Sequence, residues 1–549
     1  MKIIYNDHEV GLTRKITSAM DILGEESVRI SPNHIIACKC NNSVKSLNYK
    51  INDGDTVELI DLSMDDGIRV YIRGALFIMG LAFDELYPDL DVFVDFQLSN
   101  AMFCEIKNGE VTDEIINNVK KRMKEIIEQD LPIKKVIMTK DEAKEFYKTH
   151  KSQNGILQIE NKDKDEVCLY TCNNYYNYFY GVMPLSTGYI NIFDLKKYKN
   201  GFIVRYPNKS NPKELGEFKE SKKFLAKLQE YDQIYKLMNI STIQELNNEV
   251  RSGKSKDVIL TSEALQEKKI AELAEQIASK KDVKMVLIAG PSSSSKTTFA
   301  KKLGLQLRIK GLKPVTIGTD DYFVERPLTP RDENGDYDFE TIDALDLDLF
   351  NDHLTRLING ETVNIPTFDF KEGTKRYDDN KKLHLNDDEI LVIEGIHCLN
   401  DKLTSKIPKE NKFKIYISDL TVLNIDNFNR ISTTDTRLVR RIVRDYNFRG
   451  YSAKETLDRW PSVNRGERRN IFPYQEEADA MFNSSMVYEL GVLAKYAKKL
   501  LAEIKQDEEE YSEARRIITF LEYFEEIDET PIPNNSLLRE FIGGSVFDY

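Results

Sequence analysis

No run of about 18 apolar residues, the length a membrane-crossing helix needs, occurs anywhere in the 549-residue chain. Nothing in it is therefore expected to span a bilayer. The opening, MKIIYNDHEV, lacks the basic-then-apolar order of a secretory leader. Cysteine is sparse: Cys38, Cys40, Cys104, Cys168, Cys172 and Cys398 are scattered over a long chain. That scatter argues against a disulfide framework and fits reduced thiols in a cytoplasmic protein. Positive charge is in deficit, with 78 Lys and Arg against 91 Asp and Glu and a formal net charge of −13. A general nucleic-acid binder would show the opposite balance. What remains is 41% apolar and 31% charged, the composition of a globular chain long enough for more than one domain.

The stretch that carries chemistry is VLIAGPSSSSKTTFA, from Val286 to Ala300. An apolar strand (Met285 to Ala289) is expected to end at Gly290, and a helix with Phe299, Leu303 and Leu307 on one face to follow Lys296. Strand, small-residue loop and helix in that order make a phosphate-binding P-loop. Backbone N–H groups of Ser292, Ser293, Ser294 and Ser295 can wrap a phosphate closely, and the helix start, with Thr298 in its first turn, aims free N–H groups at the same anion. Lys296 adds a point charge for the β- and γ-phosphates, and the Thr297 hydroxyl can ligate Mg²⁺. The motif GxxxxGK[ST] is met except at its second glycine, which is Ser295. Serine there is expected to sit in ordinary helical backbone and to cost little.

In chain order, residues 1–63 form a small, mostly β unit: KIIYN and HEVGL pair as a hairpin, a helix follows near Thr17 to Leu23, and HIIACKC and DTVELID are strands. With CNNSVKSLNYKI and the closing DGDTVELI, this unit resembles a TGS domain, the β-grasp module at the N-terminus of threonyl-tRNA synthetases. Residues 64–210 resemble the α+β second domain of the same enzymes, which edits mischarged tRNA. The resemblance implies two histidines on a helix and a later Cys…His pair around a metal. Here Arg73 and Phe77 stand in the histidine positions, and Tyr176 follows Cys172. One thiol does not build a zinc site, so the metal ligands and the editing chemistry are expected to be lost. Residues 211–282 carry apolar positions at helical spacing and form a helical connector.

After the P-loop helix comes the strand PVTIGT, ending in Asp320, Asp321, Tyr322 and Phe323. A carboxylate at such a strand end faces the transferred phosphate in open α/β sheets. Asp320 suits the base that takes a hydroxyl's proton; the Asp pair can also split into one catalytic and one structural carboxylate. EILVIEGIH is the neighbouring strand, with Glu394 placed to hold Mg²⁺ together with Thr297. Arg437, Arg440, Arg441 and Arg444 recur at helical spacing, forked donors that match phosphate. SMVYELGVL is expected to be a further strand, followed by two closing helices.

GPSSSSKTTF, TDDYF, YDFETIDALDLDLF, IPTFDF, VIEGIH and TRLVRRIVRD occur in this order. Residues 283–549 form the last domain, with a helical extension at its C-terminal end, and over roughly 283–500 it resembles the uridine kinase and phosphoribulokinase family, closest to its uridine–cytidine kinase branch: an α/β P-loop domain with a mostly parallel sheet. The resemblance implies ATP and Mg²⁺ and a pyrimidine nucleoside acceptor. It makes Asp320 the catalytic base and places Tyr322, Glu340, Phe368 and Arg437 on the substrate, with Arg440 and Arg444 in a helix leading to a lid whose loop carries Arg449. The branch's aspartate on the ribose hydroxyls is here Glu340, its base-contacting tyrosine is Phe368, and its base-reading histidine is replaced near Gly373. Two further readings stand beside the nucleoside kinase: an ATP-binding regulator of RNA or the ribosome, and a kinase of another small alcohol. An RNA or protein partner of the N-terminal domains and a homo-oligomer are compatible with either.

Overall fold

The computed structural model describes residues 2–5, 8–9, 17–22, 34–149, 165–331, 335, 337–369 and 372–548. Val10 to Leu12 of the HEVGL segment, and Leu23, lie outside them. The first sheet is made of β1 (Lys2–Tyr5), β2 (His8–Glu9), β3 (Ile35–Cys40), β4 (Ser43–Lys45) and β5 (Thr56–Asp61), in the order β2-β1-β5-β3-β4. Its core is closed by Ala19, Ile22, Leu47 and Val57.

The helix Asp65–Leu86 follows. It is buried along nearly its whole middle, because Gly74, Ala75, Gly80 and Ala82 let neighbouring segments approach it from several sides. Beside it stand β6 (Val92–Leu98), β7 (Ala101–Ile106), β8 (Lys134–Thr139), β9 (Glu166–Cys172), β10 (Tyr175–Asn177), β11 (Asp194–Tyr198) and β12 (Gly201–Arg205). They form two antiparallel sheets, β11-β12-β7-β6 and β10-β9-β8. Phe77 is buried edge-on to Tyr175 and Phe179, and the Arg73 Nε–H donates to the Val182 carbonyl at 2.9 Å. The positions compared with metal ligands are thus an aromatic contact and a backbone clamp.

Three helices, Lys222–Leu237, Ile243–Arg251 and Ser255–Ala278, lead onward. The middle one starts in a capping box, Thr242 with Glu245, which satisfies two otherwise free N–H groups. All three contribute to one apolar core with the following domain.

That domain is built on β13 (Met285–Ala289), β14 (Lys313–Gly318), β15 (Val363–Asp369), β16 (Thr374–Leu383), β17 (Glu389–Glu394), β18 (Lys412–Ser418) and β19 (Ala480–Asn483). Five of these form an all-parallel sheet, β14-β17-β13-β18-β19, and β15 and β16 a separate hairpin. Every residue of β13 and β18 is buried, as expected of central strands covered by helices on both faces. SMVYELGVL is not a strand. The strand is the preceding AMFN, and the helix Glu489–Leu501 starts inside the segment. Asn483 ends the strand by bonding both polar groups of Leu420, at 2.8 and 2.9 Å. Beyond it Leu490, Leu493, Ala494, Ala497 and Leu501 recur at helical spacing and are buried.

The loop after β18 joins the two halves. The Val94 N–H donates to the Asn427 carbonyl at 2.7 Å, and the Asn424 amide to the Val94 carbonyl at 3.0 Å. This covers the open edge of β6, an edge that would otherwise invite foreign strands.

Candidate active site

The loop from Gly290 to Ser295 links the centre of the parallel sheet to the helix Lys296–Ile309. Gly290 is obligatory for packing: a Cβ there would lie 1.9 Å from the Ile417 carbonyl oxygen. Ser295 has φ 65° and ψ 33°, and Ser293 φ 61°. Both are left-handed, against the expectation of helical backbone at Ser295. The loop must reverse sharply to present its N–H groups inward, and a Cβ is disfavoured in that conformation by about 1–2 kcal/mol. Ser295→Gly is expected to stabilise the fold by about 1 kcal/mol, read by chemical denaturation, with nucleotide binding retained in both forms. An unchanged midpoint would mean that the loop holds no such strain.

The Lys296 ammonium donates to the Gly290 and Pro291 carbonyls at 2.9 and 3.0 Å, closing the loop on itself. Burial lowers its pKa, while Glu394, Glu467 and Glu540 pull it back up. The hydroxyls of Ser293, Ser294 and Ser295 are buried and find no partner among the described residues. The Thr297 hydroxyl lies 3.0 and 3.2 Å from the two Glu394 oxygens. Burial raises the Glu394 carboxyl, with Lys296 opposing.

Asp320 lies in a 3₁₀ turn, Thr319–Tyr322, just past β14. The two aspartates divide. Asp321 accepts the Phe368 N–H at 3.3 Å, which ties it to the hairpin strand. Asp320 is reached by solvent yet enclosed enough for desolvation to raise its pKa; Asp321 adds to the rise, and Lys296 opposes it. Glu340 faces the same space, raised by desolvation and then by Asp338, Asp320 and Glu467. The structure therefore brings Lys296, Thr297, Glu394, Asp320 and Glu340 together at the carboxyl end of the sheet.

Four expected contacts fall elsewhere. Tyr322 is 1% exposed, its hydroxyl 3.0 Å from His353 Nδ1 and its ring edge-on to Phe350; it is core and not a substrate contact. Phe368 is 5% exposed and stands edge-on to Phe323, so it packs the wall of the cleft and offers no open platform. Arg437 is 1% exposed, donating to both Glu467 oxygens at 2.6 and 2.9 Å and to the Ser292 carbonyl at 3.1 Å. Arg440 is fully buried, paired with Glu489 and Asp419, and donates to the Ser293 carbonyl at 3.2 Å. Arg437 and Arg440 grip the outside of the loop and do not face a transferred group, because the helix Thr433–Arg449 turns them inward against buried carboxylates.

Glu467 and Glu540 had no signal in the sequence. Glu467, on the helix Ala453–Asn470, accepts the Ser292 N–H at 2.8 Å while holding Arg437. Both backbone polar groups of Ser292 are thus fixed by one ion pair. Glu540, near the C-terminus, accepts the Thr298 hydroxyl. Arg444 lies near enough for its charge to oppose that of Lys296, and Arg441, Arg444 and Arg449 share the single carboxylate of Asp445. Burial lowers Arg444, and Arg449 adds to that. A surplus of forked donors beside the loop suits a polyphosphate.

Residues 285–490 match the model of the phosphoribulokinase / uridine kinase family. The C-terminal region is a P-loop kinase domain of that family. A uridine kinase of Ureaplasma parvum is 25% identical over 179 residues, covering 33% of this chain and 77% of the relative. A threonine–tRNA ligase of Listeria welshimeri is 26% identical over 197 residues, 36% of this chain and 31% of that protein. A solved structure described as a possible uridine kinase from Bacillus stearothermophilus is 21% identical, covers 37% of this chain and 89% of its own, and gives a TM-score of 0.21. The kinase domain thus spans most of its uridine kinase relative, and the N-terminal half is additional to it.

Proposed function

We propose that the protein is an ATP- and Mg²⁺-dependent kinase of a small-molecule hydroxyl, with the 5′-hydroxyl of a pyrimidine nucleoside as its acceptor. The observation that carries this reading is Asp320: a solvent-reached carboxylate with raised pKa, facing the field of Lys296 across the cleft from the loop. A pure nucleotide switch has no need of such a base. The buried serine hydroxyls without partners and the Thr297–Glu394 oxygen pair fit a phosphate chain and a hard dication. Mg²⁺, when bound there, supplies charge neutralisation to the phosphate oxygens.

The chain's own residues do the rest. Loop N–H groups and Lys296 orient the phosphates. Asp320 accepts the proton of the acceptor hydroxyl, and Glu340 holds neighbouring hydroxyls. Arg444 and Arg441 stabilise charge on the transferring group, chiefly through positioning and electrostatics. We read residues 1–63, 64–210, 211–282 and 283–549 as successive units of the chain, the first two as TGS-like and editing-like modules that engage an RNA or protein partner.

Steady-state phosphorylation of a nucleoside panel tests the reading. Turnover of uridine or cytidine is expected, and no turnover on any acceptor would favour an ATP-binding regulator. The pH profile adds a second check. Asp320 works only when ionised, so the acid limb of kcat should lie above the ordinary aspartate value of 3.8. Removing the neighbouring negative charge with Asp321→Asn should move that limb to lower pH. A limb that does not move would place the titrating base elsewhere.

A further inference from the structure

The helix Ala453–Asn470 carries a buried glycine, Gly466, near its C-terminal end. Glycine is a poor helix former, because it has the most backbone freedom to lose. Gly466 does not take left-handed backbone, so no turn requires it. What it meets is Glu340. A Cβ at position 466 would lie 3.3 Å from one Glu340 carboxylate oxygen and 3.6 Å from the carboxyl carbon. One turn on, the Asn470 amide donates to the Glu340 carbonyl at 2.7 Å, and Arg469 pairs with Asp338 at 3.1 Å.

Positions 466, 469 and 470 are three and four apart and share one face of the helix. The segment they hold is also braced from within, since the Glu340 N–H donates to the Asp338 carboxylate at 3.1 Å. Asn470 is 8% exposed, whereas Glu340 is open to solvent: the support is buried and the supported carboxylate is free to meet a ligand. Between them on the same helix, Glu467 accepts the Ser292 N–H of the P-loop. The stretch 466–470 therefore touches both the nucleotide loop and the carboxylate on the acceptor side.

We propose that Gly466 and Asn470 are positioning residues for the acceptor, seating Glu340 at a fixed reach from the P-loop so that its carboxylate meets the acceptor's hydroxyls. This rests on Glu340 being the group that holds those hydroxyls. Asn470 fixes the backbone of Glu340 through its carbonyl. The missing Cβ at 466 leaves room for the side chain, which is one methylene longer than an aspartate.

Steady-state kinetics of the full chain with ATP and with uridine or cytidine, whichever turns over faster, test this. Gly466→Ala should raise the nucleoside KM by about three- to tenfold while the ATP KM stays nearly constant, since a rise confined to one substrate marks lost binding of that substrate. Its unfolding midpoint should not fall, because alanine is the better helix former. Asn470→Ala should raise the nucleoside KM by about tenfold, again sparing ATP, because Glu467 still holds Ser292. Glu340→Asp shortens the arm and should itself raise the nucleoside KM. Adding Gly466→Ala to it should cost nothing further, because the retracted carboxylate no longer meets the new Cβ; such non-additivity marks residues in contact. Unchanged nucleoside KM in both folded single variants, equal rises in the nucleoside and ATP KM, or additive penalties in the double variant would each overturn the proposal. Absence of turnover of uridine and cytidine by the natural chain would instead remove the nucleoside reading, and the proposal with it.

Discussion

Asp320→Asn lowers kcat by roughly 10²–10⁴ while ATP affinity stays within a few-fold. Asparagine keeps the shape of the side chain and the 3₁₀ turn that carries it, but it cannot accept a proton. In the proposed reaction the nucleotide is held by the loop, Lys296 and Thr297, and among the described residues Asp320 makes no hydrogen bond to Lys296 or Thr297, whose bonds go to Gly290, Pro291 and Glu394. Asp321→Asn is the control. Its carboxylate serves the Phe368 N–H, which an amide oxygen still satisfies, so turnover should survive. Normal turnover in Asp320→Asn, measured with saturating ATP, would remove Asp320 from the reaction.

Glu467→Gln is expected to cost about 3–5 kcal/mol of stability, the usual penalty for stranding one member of a buried ion pair. Arg437 is buried against the Trp460 ring, with its guanidinium carbon 5.5 Å from the ring centre, and among the described residues no carboxylate besides Glu467 is in hydrogen-bond contact with it. The loss should reach function, because the same carboxylate holds the Ser292 N–H. Nucleotide affinity should therefore fall together with the unfolding midpoint. The pair Arg437→Met with Glu467→Met should recover most of the stability, since two apolar side chains of similar volume leave no buried charge. It should not recover the affinity, because the Ser292 N–H then has no clamp. Equal recovery of both would show that the ion pair only fills space.

The strand–loop–helix order around Lys296 was legible because apolar runs, small residues and one lysine encode it locally. The elements before and after it were legible for the same reason. Asp320 and Glu394 could be named because strand ends are readable from where an apolar run stops. The helix Glu489–Leu501 was misread because SMVYELGVL is apolar enough for either state, and only the partner of Asn483 on Leu420 fixes where the strand stops. Arg437 and Arg440 show a different limit. Their spacing announced a helix with one basic face, but a guanidinium serves a phosphate or a buried carboxylate with the same fork. Glu467 and Glu489, 30 and 49 residues further along, chose the second role.

Sequence alone thus determined the parallel α/β class of the kinase domain and the loop that organises it, since hydrophobic period and turn chemistry act within about ten residues of each other. Tertiary structure alone decided which arginines brace the loop from outside, which of two adjacent aspartates is tied to the hairpin strand, and that Ser295 takes left-handed backbone. Those outcomes depend on carboxylates, carbonyls and packing partners brought from elsewhere in the chain, and no local pattern records which of them will arrive.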